Sequence, residues 1–190
     1  MTTRHKLLPR DYFNRSTLAV ARSLLGKYLV RLIDGREIAG KIIEVEAYVG
    51  PWDKACHAAK GRTQRTEVMF GPSGMAYVYL IYGMYHCLNV VTEREEFPAA
   101  VLIRAIDVDG VLIDGPGRLC RALQIDRSLN RIDLTAQESL WFEDRGSRIL
   151  HRQVAALPRI GVDYAGIWAK KPWRFRLQPD LNTRPRKSRE

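Results

Sequence analysis

Two acidic residues and a tyrosine alternate along an apolar, β-branched stretch of the chain, residues 36–48. Successive side chains of a strand point to opposite faces, so alternate residues share a face. After Gly40, one face carries Ile43, Val45 and Ala47, which we assign to the core. The other face carries Ile42, Glu44, Glu46 and Tyr48. This second face is either an ordinary solvent-facing surface or a site in which a carboxylate acts as a base.

Ring side chains are concentrated between residues 48 and 86. They belong to Tyr48, His57, Tyr77, Tyr79, Tyr82, Tyr85 and His86. Aromatic strands often pack an ordinary core, so a ligand cage and a plain core both fit this pattern. Tyr77 and Tyr79 share one strand face, whereas Tyr82 has the opposite parity and lies beside a bend expected at Gly83. The first two can therefore line a pocket while Tyr82 protrudes.

Cysteine and histidine are neighbours at Cys56-His57 and at His86-Cys87. Neighbours on an extended chain point in opposite directions, whereas structural zinc sites usually pair ligands about two to five residues apart. This spacing argues against a metal site, and we expect neither a metal nor an organic cofactor. Cys120 makes the number of cysteines odd, so we expect buried, reduced thiols and no disulfide.

The chain is strongly basic, with 31 Lys and Arg against 21 Asp and Glu and a formal net charge of +10. Such a charge favours a polyanionic partner, with nucleic acid ahead of an anionic membrane surface. No apolar run approaches the roughly 18 residues of a spanning helix, and residues 1–10 lack the apolar region of a signal peptide. We expect a cytoplasmic protein that forms a single domain over residues 1–190.

Most of the elements that the sequence predicts are strands. An Asp34-Gly35 turn joins strands over residues 27–33 and 36–48, and further strands are expected over 75–82, 86–92, 99–107 and 173–177. Helices are expected over 14–25, 115–125 and 163–170, and from a Thr135/Glu138 capping box to Trp141. These elements predict an α+β domain, in which helices pack around a curved antiparallel or mixed sheet. Residues 178–190 are expected to be a flexible basic tail.

A series of short motifs runs in order through residues 8–177. The motifs are Glu46-Ala47-Tyr48, Gly50-Pro51, His57, residues 77–84, Asn89, residues 102–105, residues 115–120 and residues 165–169. In this order they resemble the alkylpurine (3-methyladenine) DNA glycosylase family, which includes the mammalian enzyme, and its bacterial members in particular. Several ordered motifs are far more specific than any one of them.

The resemblance implies a monofunctional DNA glycosylase of base excision repair. Such an enzyme flips a damaged purine nucleotide out of duplex DNA, hydrolyses its N-glycosidic bond and leaves an abasic site. Glu46 would activate the attacking water, and Arg104 would help to hold Glu46 and that water. The broken bond leaves an oxocarbenium-like sugar, which a neighbouring carboxylate can stabilise.

The same resemblance implies a base pocket. Tyr48, His57 and Tyr79 would hold the extruded base, and Asn89 would check the purine edge. Many alkylated purines are cationic, and a cation over an electron-rich ring gains about 0.5–2 kcal/mol, which would favour damaged over normal bases. Whether hypoxanthine and etheno adducts are also excised stays open.

Further residues would contact the duplex. Tyr82 matches the family's intercalating residue, Met84 and Tyr85 flank it, and Arg118 would contact a phosphate. We expect a monomer that acts on damaged double-stranded DNA of a bacterial nucleoid.

A second function stays open at this point, namely a non-catalytic basic RNA-binding module with stacking tyrosines. Such a module would need no carboxylate facing the rings. Activity on a duplex with one damaged base would distinguish the two functions.

Overall fold

The computed structural model of the protein describes residues 5–178, which contain one ten-stranded antiparallel sheet. Its strands are β1 (Lys6–Leu7), β2 (Tyr28–Ile33), β3 (Arg36–Tyr48), β4 (Ala76–Ile81), β5 (Tyr85–Thr92), β6 (Ala99–Val108), β7 (Val111–Asp114), β8 (Leu140–Asp144), β9 (Val154–Leu157) and β10 (Arg174–Leu177). Seven of them follow the order β1-β8-β2-β3-β6-β5-β4. β10 pairs with the second half of β3 and with β9, and β7 pairs with β6. Of the antiparallel or mixed sheet predicted from the sequence, the structure has the antiparallel form.

The helical part is smaller than predicted. The described residues contain the α-helices α1 (Arg10–Phe13), α2 (Thr17–Leu24) and α3 (Pro116–Ala122). The 3-10 helices are His57–Lys60, Glu67–Phe70, Arg127–Leu129, His151–Gln153 and Asp163–Trp168. Leu24 of α2 and Leu119 of α3 are fully buried in the main core, so these two helices cover part of the sheet. The helix expected over residues 163–170 is a shorter 3-10 segment.

The predicted Asp34-Gly35 turn is confirmed, because Ile33 pairs directly with Arg36 across it. The backbone φ angles of the two turn residues are +49° and +76°. A two-residue turn with both φ angles positive matches the twist of an antiparallel pair. This turn sets the register in which the long strand β3 passes through the sheet.

The predicted alternation along β3 holds from Glu44 to Tyr48 but fails before Glu44. The register between β3 and β6 shifts between Ile42 and Val45, which is the mark of a β-bulge. Ile42 is therefore fully buried in the core, whereas Ile43 is partly exposed and lines a surface groove. The expectation that Ile43 is a core residue and that Ile42 shares the face of Glu46 is wrong.

The helix predicted from Thr135 to Trp141 is also wrong. The N–H and the hydroxyl of Thr135 both donate to Oδ1 of Asp133, at 2.8 and 2.6 Å, so Thr135 closes a turn instead of capping a helix. Residues 140–144 form β8, in which Phe142 pairs with Leu29 of β2. Tertiary pairing overrides the local helix signal here.

The short strands β1, β7 and β9 were not predicted from the sequence. Gln178, the first residue of the predicted tail, donates its backbone N–H to the carbonyl of Gln153 at 2.8 Å. The rest of the predicted tail lies outside the described residues.

Candidate active site

A cavity of about 270 Å³ opens between strands β4–β6, the 3-10 helix His57–Lys60 and residues 160–164. Six of the predicted site residues line it, namely Tyr48, His57, Tyr79, Tyr82, Asn89 and Arg104. Glu46 lies directly behind this lining, in contact with Tyr48 and Arg104. The structure thus brings together the residues that the sequence separates by as many as 58 positions, from Glu46 to Arg104.

The Glu46 side chain is fully buried, and three groups hold its carboxylate. Oε1 accepts the backbone N–H of Ile160 at 2.8 Å, and Oε2 accepts the Tyr48 hydroxyl at 2.9 Å. Nη1 of Arg104 lies 3.4 Å from Oε2. Burial raises the pKa of Glu46 above 4.5, although Arg104, the Ile160 N–H and Tyr48 each lower it. A fixed carboxylate with a raised pKa is suited to accept a proton near neutral pH.

Arg104 bridges two glutamates on the same face of β3. Its Nε donates to Oε1 of Glu44 at 3.1 Å, while its Nη1 faces Glu46. Glu44 is 1% exposed and is also bound by Arg174, at 3.2 Å, and by Arg176. Three arginines therefore bind Glu44. Through its bond to Glu44, the Arg104 guanidinium is held in place while its Nη1 faces Glu46.

The rings of the cavity pack on one another. His57 and Tyr79 are nearly perpendicular, with centroids 4.7 Å apart, and the rings of Tyr77 and Tyr79 are 5.1 Å apart. Nδ1 of His57 and the Tyr77 hydroxyl are 2.8 Å apart and hydrogen-bonded. Burial, followed by the charges of Arg65 and Lys60, lowers the pKa of His57 from 6.5 to about 4. The imidazole is therefore neutral at neutral pH.

Two of these rings carry an arginine of the protein itself. The guanidinium of Arg65 lies 4.9 Å from the centroid of Tyr79, and that of Arg159 lies 4.9 Å from the centroid of Tyr48. Both rings line the cavity, whereas neither arginine does. Each ring already has a cation of the protein over it, which weakens its attraction for a second cation.

Asn89 and two cysteines complete the wall. Asn89 is 2% exposed, and its Nδ2 donates to the Tyr77 carbonyl at 3.1 Å. Burial raises the pKa of Cys56 to about 12 and that of Cys87 to about 11, so both thiols stay protonated and are weak nucleophiles. All three cysteines are free and buried, as predicted.

The hairpin tip, residues 82–84, projects from the turn between β4 and β5 at the edge of the cavity. Tyr82 is 84% exposed and Met84 is 65% exposed. The backbone φ angles of Tyr82 and Gly83 are +50° and +70°, and the N–H of Met84 donates to the Ile81 carbonyl at 3.1 Å. The tip is thus a closed turn that presents two large apolar side chains to solvent.

The other two predicted DNA contacts lie beside the tip. Tyr85 packs on Gly117 at the start of α3, where a Cβ atom would come within 2.9 Å of its ring. The neighbouring Arg118 is exposed. The close approach explains why the chain has glycine at position 117.

Several groups of the site were not predicted from the sequence. The Ile160 N–H that binds Glu46 is a main-chain donor, which no residue type reveals. Tyr164, 72% exposed, lines the cavity from the 3-10 helix Asp163–Trp168. The positions of Arg65 and Arg159 over rings were not predicted either, because no local pattern shows the rings on which they lie.

Two further observations hold for the described part of the chain. Residues 5–178 contain no group of three or more His, Cys, Asp and Glu side chains that could hold a metal ion. They also contain no helix long and apolar enough to cross a membrane.

Curated relatives place the chain among the DNA glycosylases. A Methanocella arvoryzae protein is 52% identical over 185 residues, which cover 89% of this chain and 91% of that protein. A Myxococcus xanthus protein is 51% identical, covering 88% of each chain, and one from Legionella pneumophila (strain Corby) is 49% identical, covering 90% of this chain and 94% of its own. Each is named "Putative 3-methyladenine DNA glycosylase". The class defined by these relatives is that of hydrolases of N-glycosyl bonds.

The family model described as methylpurine-DNA glycosylase matches residues 11–180. The chain belongs to the methylpurine-DNA glycosylase family. Of the two functions that the sequence left open, membership supports the enzyme and not the RNA-binding module.

Proposed function

We propose that the protein removes alkylated purines from duplex DNA by flipping the damaged nucleotide into the aromatic cavity and hydrolysing its N-glycosidic bond. The observation that carries this proposal is the buried Glu46 carboxylate directly behind the cavity wall, with Arg104 beside it. The names of the relatives supply the substrate class, 3-methyladenine and related methylpurines.

The proposed reaction replaces a carbon–nitrogen bond by a carbon–oxygen bond. The bond between the purine and C1′ of the sugar breaks, and its electron pair leaves with the base. Water adds to the cationic C1′ and transfers a proton to Glu46. An alkylated purine that starts with a positive charge departs as a neutral base. The products are a free base and an intact abasic site.

Each carboxylate oxygen has two acceptor positions, and the known donors to Glu46 are the Ile160 N–H and the Tyr48 hydroxyl. This leaves acceptor capacity for a hydrogen bond from a water molecule. The Arg104 guanidinium, 3.4 Å from Oε2, would hold that water and keep the carboxylate ionised. The resulting arrangement is a base with one fixed orientation.

The extruded base would stack among Tyr48, His57 and Tyr79, with Asn89 at its edge. Arg65 and Arg159 already lie over two of these rings, so charge alone is a weaker means of selection than the sequence suggested. Stacking and fit to the cavity then share the task of selecting the damaged base.

The hairpin tip would enter the duplex at the gap left by the flipped nucleotide. Tyr82 is a large exposed ring at this tip, and proteins that bind the minor groove often insert such large side chains between base steps. Met84, Tyr85 and Arg118 would contact the flanking backbone and sugars.

The function is tested with a duplex that carries a single 7-methylguanine. We expect release of the free base and an intact abasic strand, and no release from a matched undamaged duplex. Because water and not a lysine amine is the nucleophile, borohydride should trap no protein–DNA adduct. Tight binding of nucleic acid without base release would support the RNA-binding module instead.

A further inference from the structure

Arg159 and Asp53 form an ion pair whose side chains are 0% exposed. Nη2 of Arg159 donates to Oδ1 of Asp53 at 2.8 Å, and Nη1 donates to Oδ2, so the pair is bidentate. Removing two charges from water is costly, and well-packed apolar residues often stabilise a fold as well or better. Stability alone is therefore a weak explanation for this pair.

Arg159 is directly connected to both hydrogen-bond donors of Glu46. Its Nη1 donates to the carbonyl of Ala47, the residue between Glu46 and Tyr48, at 2.9 Å. Its guanidinium lies over the ring of Tyr48, whose hydroxyl donates to Glu46. The next residue in the chain is Ile160, whose N–H donates to the other oxygen of Glu46. A shift of Arg159 would move both donors.

Asp53 also binds the loop that follows β3. Its carboxylate accepts the backbone N–H groups of Val49 and Ala55, each at 3.1 Å. These bonds fix the loop that leads from the end of β3 to His57. Arg159 in turn donates to the carbonyl of Trp168 at 3.1 Å, which attaches the 3-10 helix that carries Tyr164.

We propose that the Arg159–Asp53 pair is a positioning clamp that holds the Tyr48 hydroxyl and the Ile160 N–H on Glu46. Neither member lines the cavity, so the pair acts through other residues and not on the substrate. The inference rests on the proposed function of Glu46 as the base that activates water.

Replacement of Arg159 should change the pKa of Glu46 and with it the pH at which Glu46 can accept a proton. The Ile160 N–H, Tyr48 and Arg159 each lower the pKa of Glu46, against burial, which raises it. The other charged or titratable groups around Glu46 are Glu44 on β3, Arg104 on β6, Arg174 on β10, and Tyr79 and Cys87 in the cavity wall. None of these is attached to Arg159 by a hydrogen bond, so their influence is retained when Arg159 is replaced. The pKa of Glu46 should therefore rise, and the acid limb of the excision rate should move to higher pH.

The experiment compares Arg159→Gln, Arg159→Lys and Asp53→Asn with the full-length wild-type protein, using single-turnover excision of 7-methylguanine across the acid limb. We expect Arg159→Gln to slow excision by about 10-fold or more, since small displacements of reacting groups have effects of this size. Its acid limb should lie at higher pH, while affinity for a duplex with an abasic site should stay unchanged. Arg159→Lys keeps the charge beside Asp53 but loses the planar fork, so it should recover part of the rate.

Leu24→Ala is the control for loss of stability. Leu24 is fully buried in α2, in the main core and away from the cavity lining, so this variant should melt at a lower temperature without moving the acid limb.

A folded Arg159→Gln protein with the wild-type excision rate and the wild-type acid limb would overturn the clamp. So would failure of all three clamp variants to fold, because the pair would then serve stability. Base release by the wild type and its loss in Glu46→Gln are measured in the same series. If the wild type releases no base, the proposed function fails. If Glu46→Gln loses base release while the Arg159 and Asp53 variants behave like the wild type, only the clamp fails.

Discussion

Glu46 is fully buried behind the cavity and has three fixed neighbours, whereas Tyr82 at the hairpin tip is 84% exposed. Glu46 lies on β3, Tyr82 lies in the turn between β4 and β5 of the same antiparallel sheet, and strand parity singled out both from the sequence. The first region resists displacement because several hydrogen bonds and ion pairs hold each group. The second region has a free surface on which a partner can pack.

The backbone shows the same contrast. Tyr82 has a left-handed φ of +50°, which costs a residue with a side chain about 1 kcal/mol or more. This conformation turns the ring outwards at the tip. The proposed chemical groups Glu46 and Tyr48 lie instead in the extended strand β3, and neither has a positive φ angle. The two regions should respond differently to substitution.

Loss of Arg104 should give a large effect that does not depend on strandedness. We expect Arg104→Gln to reduce single-turnover excision about 100-fold from both duplex and single-stranded substrates, a loss typical of a missing charged donor in an active site. The matched control is Arg145→Gln, which breaks a similar arginine–glutamate pair with Glu143 outside the site. Equal losses in the two variants would mean that Arg104 acts through stability.

Loss of the exposed ring should affect duplex DNA selectively. We expect Tyr82→Ala to slow excision from a duplex about 10-fold while excision from a single strand changes little, because only the duplex has a gap to be filled. Tyr82→Phe should behave like the wild type. Single-turnover rates and thermal melts are measured together; equal losses on both substrates with a lowered melting temperature would make Tyr82 a structural residue.

Removal of one donor to Glu46 should change the pH dependence. The rate needs ionised Glu46, so it rises with pH through the raised pKa of this group. Tyr48→Phe removes a hydrogen bond that lowers this pKa, so the acid limb should move to higher pH. We expect a loss of about 10-fold below the limb, the effect of one hydrogen bond to a charged group. An unchanged pH profile would mean that the Tyr48 hydroxyl does not influence the pKa of Glu46.

His57 should show no titration of its own in the activity profile. Its pKa is lowered from 6.5 to about 4, so the folded protein binds this proton only at low pH, whereas the unfolded chain binds it near 6.5. Stability should therefore fall as the pH drops from 6.5 towards 4, and His57→Gln should reduce that fall. NMR titration of the imidazole checks the value directly; protonation near pH 6.5 would contradict it.

Local sequence patterns correctly predicted those parts of the fold whose conformation depends on neighbouring residues alone. The Asp34-Gly35 turn and the shared face of Glu44, Glu46 and Tyr48 follow from turn chemistry and strand geometry. The bulge between Ile42 and Val45 could not be predicted in this way, because it depends on the register with β6. The signal at Thr135 misled us because Asp133, two residues earlier, binds its N–H.

The same limit applies to the site. Its aromatic residues are close in sequence and were found by their type, whereas Arg159 lies 106 positions from Asp53. Pairing over that distance leaves no periodic signal, and because buried arginines are rare, the residue type gives no sign of a buried pair. The donor from Ile160 belongs to the backbone and has no signature in the sequence at all.

The central claim is that the buried Glu46 carboxylate activates the water. It is tested most directly by single-turnover excision of 7-methylguanine from a duplex by Glu46→Gln. The control is Glu143→Gln, which neutralises another buried glutamate; it lies on β8 and is bound by Trp141 and Arg145. We predict that Glu46→Gln loses about 10³-fold or more in rate while it still binds the damaged duplex, and that Glu143→Gln excises at nearly the wild-type rate. Excision by a folded Glu46→Gln protein at a rate close to that of Glu143→Gln would contradict the claim.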